Sequence, residues 1–140
     1  MITMRKNRAI KSPAKMLARS QKGNALVEFA LVLPVFLTLV FGMVTFSLAL
    51  YNKTVLTMAT REGARAGAIS SSAGIAETAA TSASNNHLIS FASGTTTPTI
   101  NASISSGVIT VNASFNYTGL PFLGVPTSLL ISAQTSMKVE

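Results

Sequence analysis

The sequence predicts an α+β protein with a long N-terminal transmembrane helix, a short second helix and a small three-stranded antiparallel sheet. Two observations carry most of this. The run from Ala25 to Leu50 contains Glu28 as its only ionisable side chain, and it exceeds the roughly 20 apolar residues that cross a bilayer core. After Pro98 the apolar residues change from helical spacing to a period of two, the signature of strands with one buried face. The expected organisation is a basic cytoplasmic leader (1–23), a transmembrane helix (24–50), its extramembrane continuation (51–69) and a small extracytoplasmic α+β domain (70–140).

Composition agrees with this division. The chain has 140 residues, room for one small core beside a membrane segment. Its hydrophobic fraction is 48% and its charged fraction 11%, against about 25% charged in soluble domains. The formal charge of +7 is concentrated in the leader, on Arg5, Lys6, Arg8, Lys11, Lys15, Arg19 and Lys22. Beyond Gly23, Lys53, Arg61, Arg65 and Lys138 balance Glu28, Glu62, Glu77 and Glu140. A cationic arm beside an apolar span marks the cytoplasmic side, so the C-terminal domain is expected outside. No aromatic residue interleaves with these cations, which argues against nucleic acid as their partner and for anionic lipid headgroups.

Taken in order, Met1 to Lys22 is polar and basic, with Pro13 expected to interrupt any helix, and it reads as irregular. The apolar run is nearly twice the length of a signal-peptide core. Pro34 lies within it and removes the amide that would bond to the carbonyl of Ala30, so a local kink or loosening is expected there. Gly42, Thr38, Thr45 and Ser47 are small or weakly polar, of the kind that allow helices to approach closely. Tyr51 and Lys53 supply an interfacial aromatic and a charge. The helix is then expected to continue, because Val55, Leu56, Met58 and Ala59 follow without proline. Ala59, Gly63 and Gly67 recur every four residues and form one smooth face, which reads either as a helix-packing surface or as a fraying end. Arg61 and Arg65 share another face, beside Glu62.

Ser70 to Gly74 signals a turn, and a second helix is expected from about Ile75 to Ser84. Gly94 to Pro98 is a break. Ile100, Ala102 and Ile104 alternate with polar residues up to Ser105-Ser106-Gly107, a turn. Ile109, Val111, Ala113, Phe115 and Tyr117 form a second strand of the same pattern. Thr118 to Ser128 contains two glycines and two prolines and reads as a loop, with Phe122 and Leu123 as apolar plugs. Leu129, Ile131, Ala133, Thr135, Met137 and Val139 give a third strand. The apolar sheet face needs a cover, and the two helices are the candidates.

Chemistry-bearing constellations are absent from the sequence. Cys is absent, His87 is the one histidine, and the four acidic residues are widely spaced glutamates, which give no paired acid-base geometry, P-loop or metal-ligand spacing. No enzymatic activity, cofactor or metal is expected. Asn52-Lys53-Thr54, Asn101-Ala102-Ser103, Asn112-Ala113-Ser114 and Asn116-Tyr117-Thr118 fit the N-glycosylation pattern, as such triplets readily do by coincidence in a chain rich in Ser, Thr and Asn.

Gly23 ending a basic leader, an apolar span beginning at once, and Glu28 five residues after that glycine resemble the processing site of type IV prepilins. The run Gly23-Asn24-Ala25-Leu26-Val27-Glu28-Phe29-Ala30-Leu31-Val32-Leu33-Pro34, with Thr60-Arg61-Glu62-Gly63-Ala64-Arg65-Ala66-Gly67, resembles more narrowly the TadE-like pseudopilins of tight-adherence (Flp/Tad) pilus systems. The ending from Ile131 to Glu140 is similar as well. The resemblance implies a type IV pilin-like fold and cleavage between Gly23 and Asn24 by a prepilin peptidase. It also implies assembly with other pilins or pseudopilins on an inner-membrane Tad platform, with possible incorporation into a surface pilus. Glu28 would then pair with a neighbouring subunit's new N-terminal amine in an apolar core. Phe29 stands where Flp-type major subunits usually carry Tyr, and those subunits are much shorter, which points to a minor component. An uncleaved single-pass envelope protein whose outer domain binds a surface partner is the alternative.

Overall fold

The computed structural model describes residues 13–91, 97–120 and 128–140, with side chains from Gly23 onward. The side chains of the leader cations, most of the break at Gly94 to Pro98, and the loop residues Phe122 and Leu123 lie outside what is described. The order of elements is α1 (Pro13–Ser70), α2 (Ala73–Ser84), β1 (Thr99–Ser105), β2 (Val108–Thr118) and β3 (Ser128–Lys138), an α+β fold. Two compact units are distinguished, residues 1–39 and 40–140.

In the first unit the helix starts at Pro13, inside the stretch expected to be irregular. The described residues 13–22 are thus helical, and Ala, Lys, Met, Leu, Arg and Gln in this stretch are good helix formers. Helical structure passes through Pro34 without interruption. Thr38 Oγ1 donates to the Pro34 carbonyl at 2.7 Å. The apolar side chains here face outward: Leu26, Phe29, Leu31, Val35, Phe36 and Leu39 are all exposed. Such an exposed apolar helix surface suits a lipid environment.

The second unit contains a three-stranded antiparallel sheet in the order β1-β2-β3. The β1–β2 turn is built from Ser106 and Gly107, at φ 50° and 72°. Positive φ at both central residues gives the primed twist that matches two paired strands. Register then follows the two-residue period: Val111 stands between Ala102 and Thr135, and Ala113 between Ile100 and Ala133. Ile109, Val111, Ala113, Phe115 and Tyr117 are all buried, whereas Asn112, Ser114 and Asn116 on the other face are exposed or half-buried.

Two buried clusters cover the apolar face. One joins Ala49, Leu56 and Leu88 to Phe115, Tyr117 and Ile131; the other joins Ala64, Ala68, Ala76 and Ala80 to Ile109 and Val111. Helix and sheet are tied at successive levels. Tyr117 Oη donates to the Thr45 carbonyl at 3.2 Å, Lys53 Nζ donates to the Ser132 carbonyl, Thr60 and Thr135 hydroxyls are 2.9 Å apart, and the Glu140 amide donates to the Ala68 carbonyl at 3.4 Å. Within this unit β3 therefore runs alongside α1 in the same direction. The lengths agree: Thr45 to Ala68 is about 35 Å of helix at about 1.5 Å per residue, and Leu129 to Glu140 is about 36 Å of extended chain at about 3.3 Å per residue.

Candidate functional site: the junction at Gly23 and the motif helix

The junction residues sit on the exposed surface of α1 in the first unit. Gly23, Asn24 and Glu28 are all exposed. Asn24 and Glu28 are four residues apart on the helix and so share one side of it. A Cβ built at Gly23 meets nothing within 4 Å. The peptide bond after Gly23 is thus sterically open, yet it lies inside a helix.

In the second unit, the residues of the later motif divide between two faces. Ala59, Gly63 and Gly67 are buried. A Cβ at Gly63 would lie 2.7 Å from both the Ala76 carbonyl oxygen and Ala80 Cβ, and one at Gly67 would lie 2.2 Å from Ile109 Cδ1 and 2.6 Å from Ala76 Cβ. Both glycines therefore admit α2 and the sheet to closer approach than any side chain would allow. The turn that brings α2 back is closed by Ser71 in a left-handed conformation (φ 50°) and by Ser72, whose side chain accepts from the Ile75 amide at 3.4 Å as N-cap.

The motif charges face solvent. Arg61 is exposed, and Arg65 donates to Glu62 at 3.1 Å across one helical turn. The hydrogen bonds and charge of Arg65 hold the Glu62 carboxyl below the usual carboxylate range. Any stabilisation from this pair is present above the unfolded glutamate pKa and is lost as pH falls through the lowered one. At full exposure it is a weak contribution.

Three side chains with structural roles were not singled out from the sequence. Asn52 is fully buried; its Nδ2 donates to the Ile89 carbonyl at 2.7 Å and its Oδ1 accepts from the Ile89 amide at 2.9 Å, clamping the segment after α2. Glu77 Oε1 accepts from the Ala102 amide at 2.8 Å, which fastens α2 to edge strand β1. Buried Thr60 bonds Thr135 as described above. A signal for Asn52 did exist, since it falls between Ala49 and Leu56 on the same helical stripe as Ala59 and Gly63. His87 lies exposed in the turn after α2. Among the described residues no group of three or more acidic or histidine side chains is placed to hold a metal ion.

Residues 23–65 match the family model of TadE-like proteins. The segment is TadE-like. It begins at Gly23 itself and takes in Glu28, Pro34, Arg61, Glu62, Gly63 and Arg65. The helix end with Gly67, the second helix and the whole sheet lie beyond the TadE-like segment. No curated protein and no solved structure matches the chain.

Proposed function

We propose that this chain is a minor pilin or pseudopilin, cut between Gly23 and Asn24 by a prepilin peptidase and acting in assembly of Tad-type pili for adhesion. The observation that carries this reading is the TadE-like match, which starts at the boundary between the basic leader and the apolar run. The proposed orientation places the leader in the cytoplasm and the sheet domain outside the inner membrane.

The physical chemistry of the junction supports the reading. A peptidase needs extended backbone, and Gly and Asn are among the residues that hold a helix least well, so unwinding costs least at this bond. Cutting there removes seven cations and leaves an amine at Asn24, about one helical turn from Glu28. In an assembly, Glu28 of one subunit would neutralise the Asn24 amine of the next, offsetting the burial of both charges. The proposed partners are accordingly the peptidase, other pilins or pseudopilins, and the membrane platform that assembles them.

Gly23→Ala separates recognition from folding. The added methyl group has open space and favours helix by about 1 kcal/mol, so the variant is expected to insert and fold normally but to keep its leader. Intact mass and N-terminal sequencing, with active peptidase present, read the outcome. A wild-type chain that retains Met1 under those conditions would overturn the proposal and favour the uncleaved envelope protein.

A further inference from the structure

We infer that the outer domain is seated in the membrane interface through the start of β3, with Leu129 and Leu130 inserted among the lipid headgroups beside Phe46 and Leu50. This inference rests on membrane anchorage of the helix and is independent of processing and pilus assembly. Leu129 is 53% exposed and Leu130 70%, although they occupy opposite faces of the strand; this end of edge strand β3 thus presents apolar surface on both faces. It does so at a defined height on the helix. Leu129 pairs with Tyr117, and Tyr117 is bonded to the carbonyl of Thr45. Phe46, Leu50, Leu129 and Leu130 line one open groove of about 270 Å³, with Lys53 at its margin.

Continuity with the span identifies lipid as the occupant. The helix surface of the same unit below this groove is apolar and exposed at Met43 and Val44. Counting about 20 residues from Ala25 brings the outer edge of the hydrocarbon to about Thr45. The groove therefore lies in the headgroup layer immediately above it. Tyr51, 44% exposed, and Lys53 stand at the level where aromatic and cationic side chains anchor proteins at the interface. Farther along the same outer strand face the residues are polar, Ser132, Gln134 and Ser136, so the apolar surface ends within one or two residues of Leu130.

The chain lacks cysteine, so single-cysteine variants carry a label at one defined place. Full-length Leu130→Cys and Gln134→Cys, each labelled with an environment-sensitive nitrobenzoxadiazole dye, are reconstituted into phosphatidylethanolamine–phosphatidylglycerol vesicles. The expected result is blue-shifted emission at position 130, quenched by lipids carrying a nitroxide near the headgroup, with water-like, unquenched emission at position 134. Water-like emission at both positions would overturn the inference. So would a blue shift at position 130 that resists lipid quenching and disappears as the protein is diluted in lipid, because a second copy would then fill the groove. Equal quenching at both positions would also overturn it, since the domain would then lie flat on the membrane.

Discussion

At the scale of single residues, Asn52 contributes more to the outer domain than its place beside a membrane span suggests. Its carboxamide replaces one step of a β-ladder, giving and receiving a hydrogen bond with the same residue, Ile89. Asn52→Ala removes both bonds and leaves a cavity in a fully buried position, with unsatisfied backbone groups that cost about 1 to 3 kcal/mol each when shielded from water. The expected loss is about 2 to 4 kcal/mol of domain stability, measured by chemical denaturation in detergent and by faster amide exchange at Ile89. Arg65→Ala, which breaks only an exposed pair, is expected to leave the denaturation midpoint essentially unchanged. The same contrast explains what single residues reveal in advance. Glu28 and Gly23 stand out because their surroundings in sequence are uniform, whereas Asn52, Thr60 and Glu77 gain their roles only when Ile89, Thr135 and Ala102 arrive from distant parts of the chain.

At the scale of elements, local pattern settled most of the fold. The period of two gives β1 to β3 and the face each strand buries, and Ser106-Gly107 gives the turn that fixes their register. Residues 13–22 were expected to be irregular from their polar, basic character, yet they are helical, because most of them are good helix formers. The stripe of Ala59, Gly63 and Gly67 was ambiguous in sequence for another reason: small residues identify a close approach without naming what approaches. The structure supplies α2 and Ile109. Their proximity sets a sharp expectation for methyl insertion. Gly67→Ala gains about 1 kcal/mol of helix propensity but drives a Cβ to within 2.2 Å of Ile109 Cδ1, and overpacking of this kind costs about 1 to 3 kcal/mol. Gly63→Ala meets the Ala76 carbonyl at 2.7 Å, a backbone atom that cannot rotate aside. Both variants are expected to lower the thermal midpoint of the outer domain. Gly42→Ala, with nothing within 4 Å, is expected to leave the midpoint unchanged and to raise helix content slightly by circular dichroism.

At the scale of the whole molecule, the sequence divides its charge before it divides its fold. All of the net +7 resides ahead of Asn24, and the rest of the chain sums to zero. One apolar run therefore separates a strongly cationic end from a neutral domain, an asymmetry that would direct insertion in the proposed orientation, since Lys and Arg near a span's end favour the cytoplasmic side. Under the proposed function the leader orients the helix first and is removed afterwards, so its charges act on topology and its terminal glycine on processing. The two roles separate by mutation. Replacing the seven leader cations by Gln, with Gly23 and Glu28 kept, is expected to yield a mixture of orientations, because the mature part offers only Lys53 near the opposite end of the span. Protease added to spheroplasts should then digest the sheet domain in only a fraction of molecules, against nearly all of the wild-type chain. Before protease is added, the inverted fraction would still carry its leader, since a junction delivered to the outer face is beyond a peptidase working from the cytoplasmic side. Gly23→Ala, in contrast, should leave every domain outside and every leader uncut. Full accessibility of the sheet domain in the Gln variant would show that the apolar run and the folding domain set the orientation without the charges.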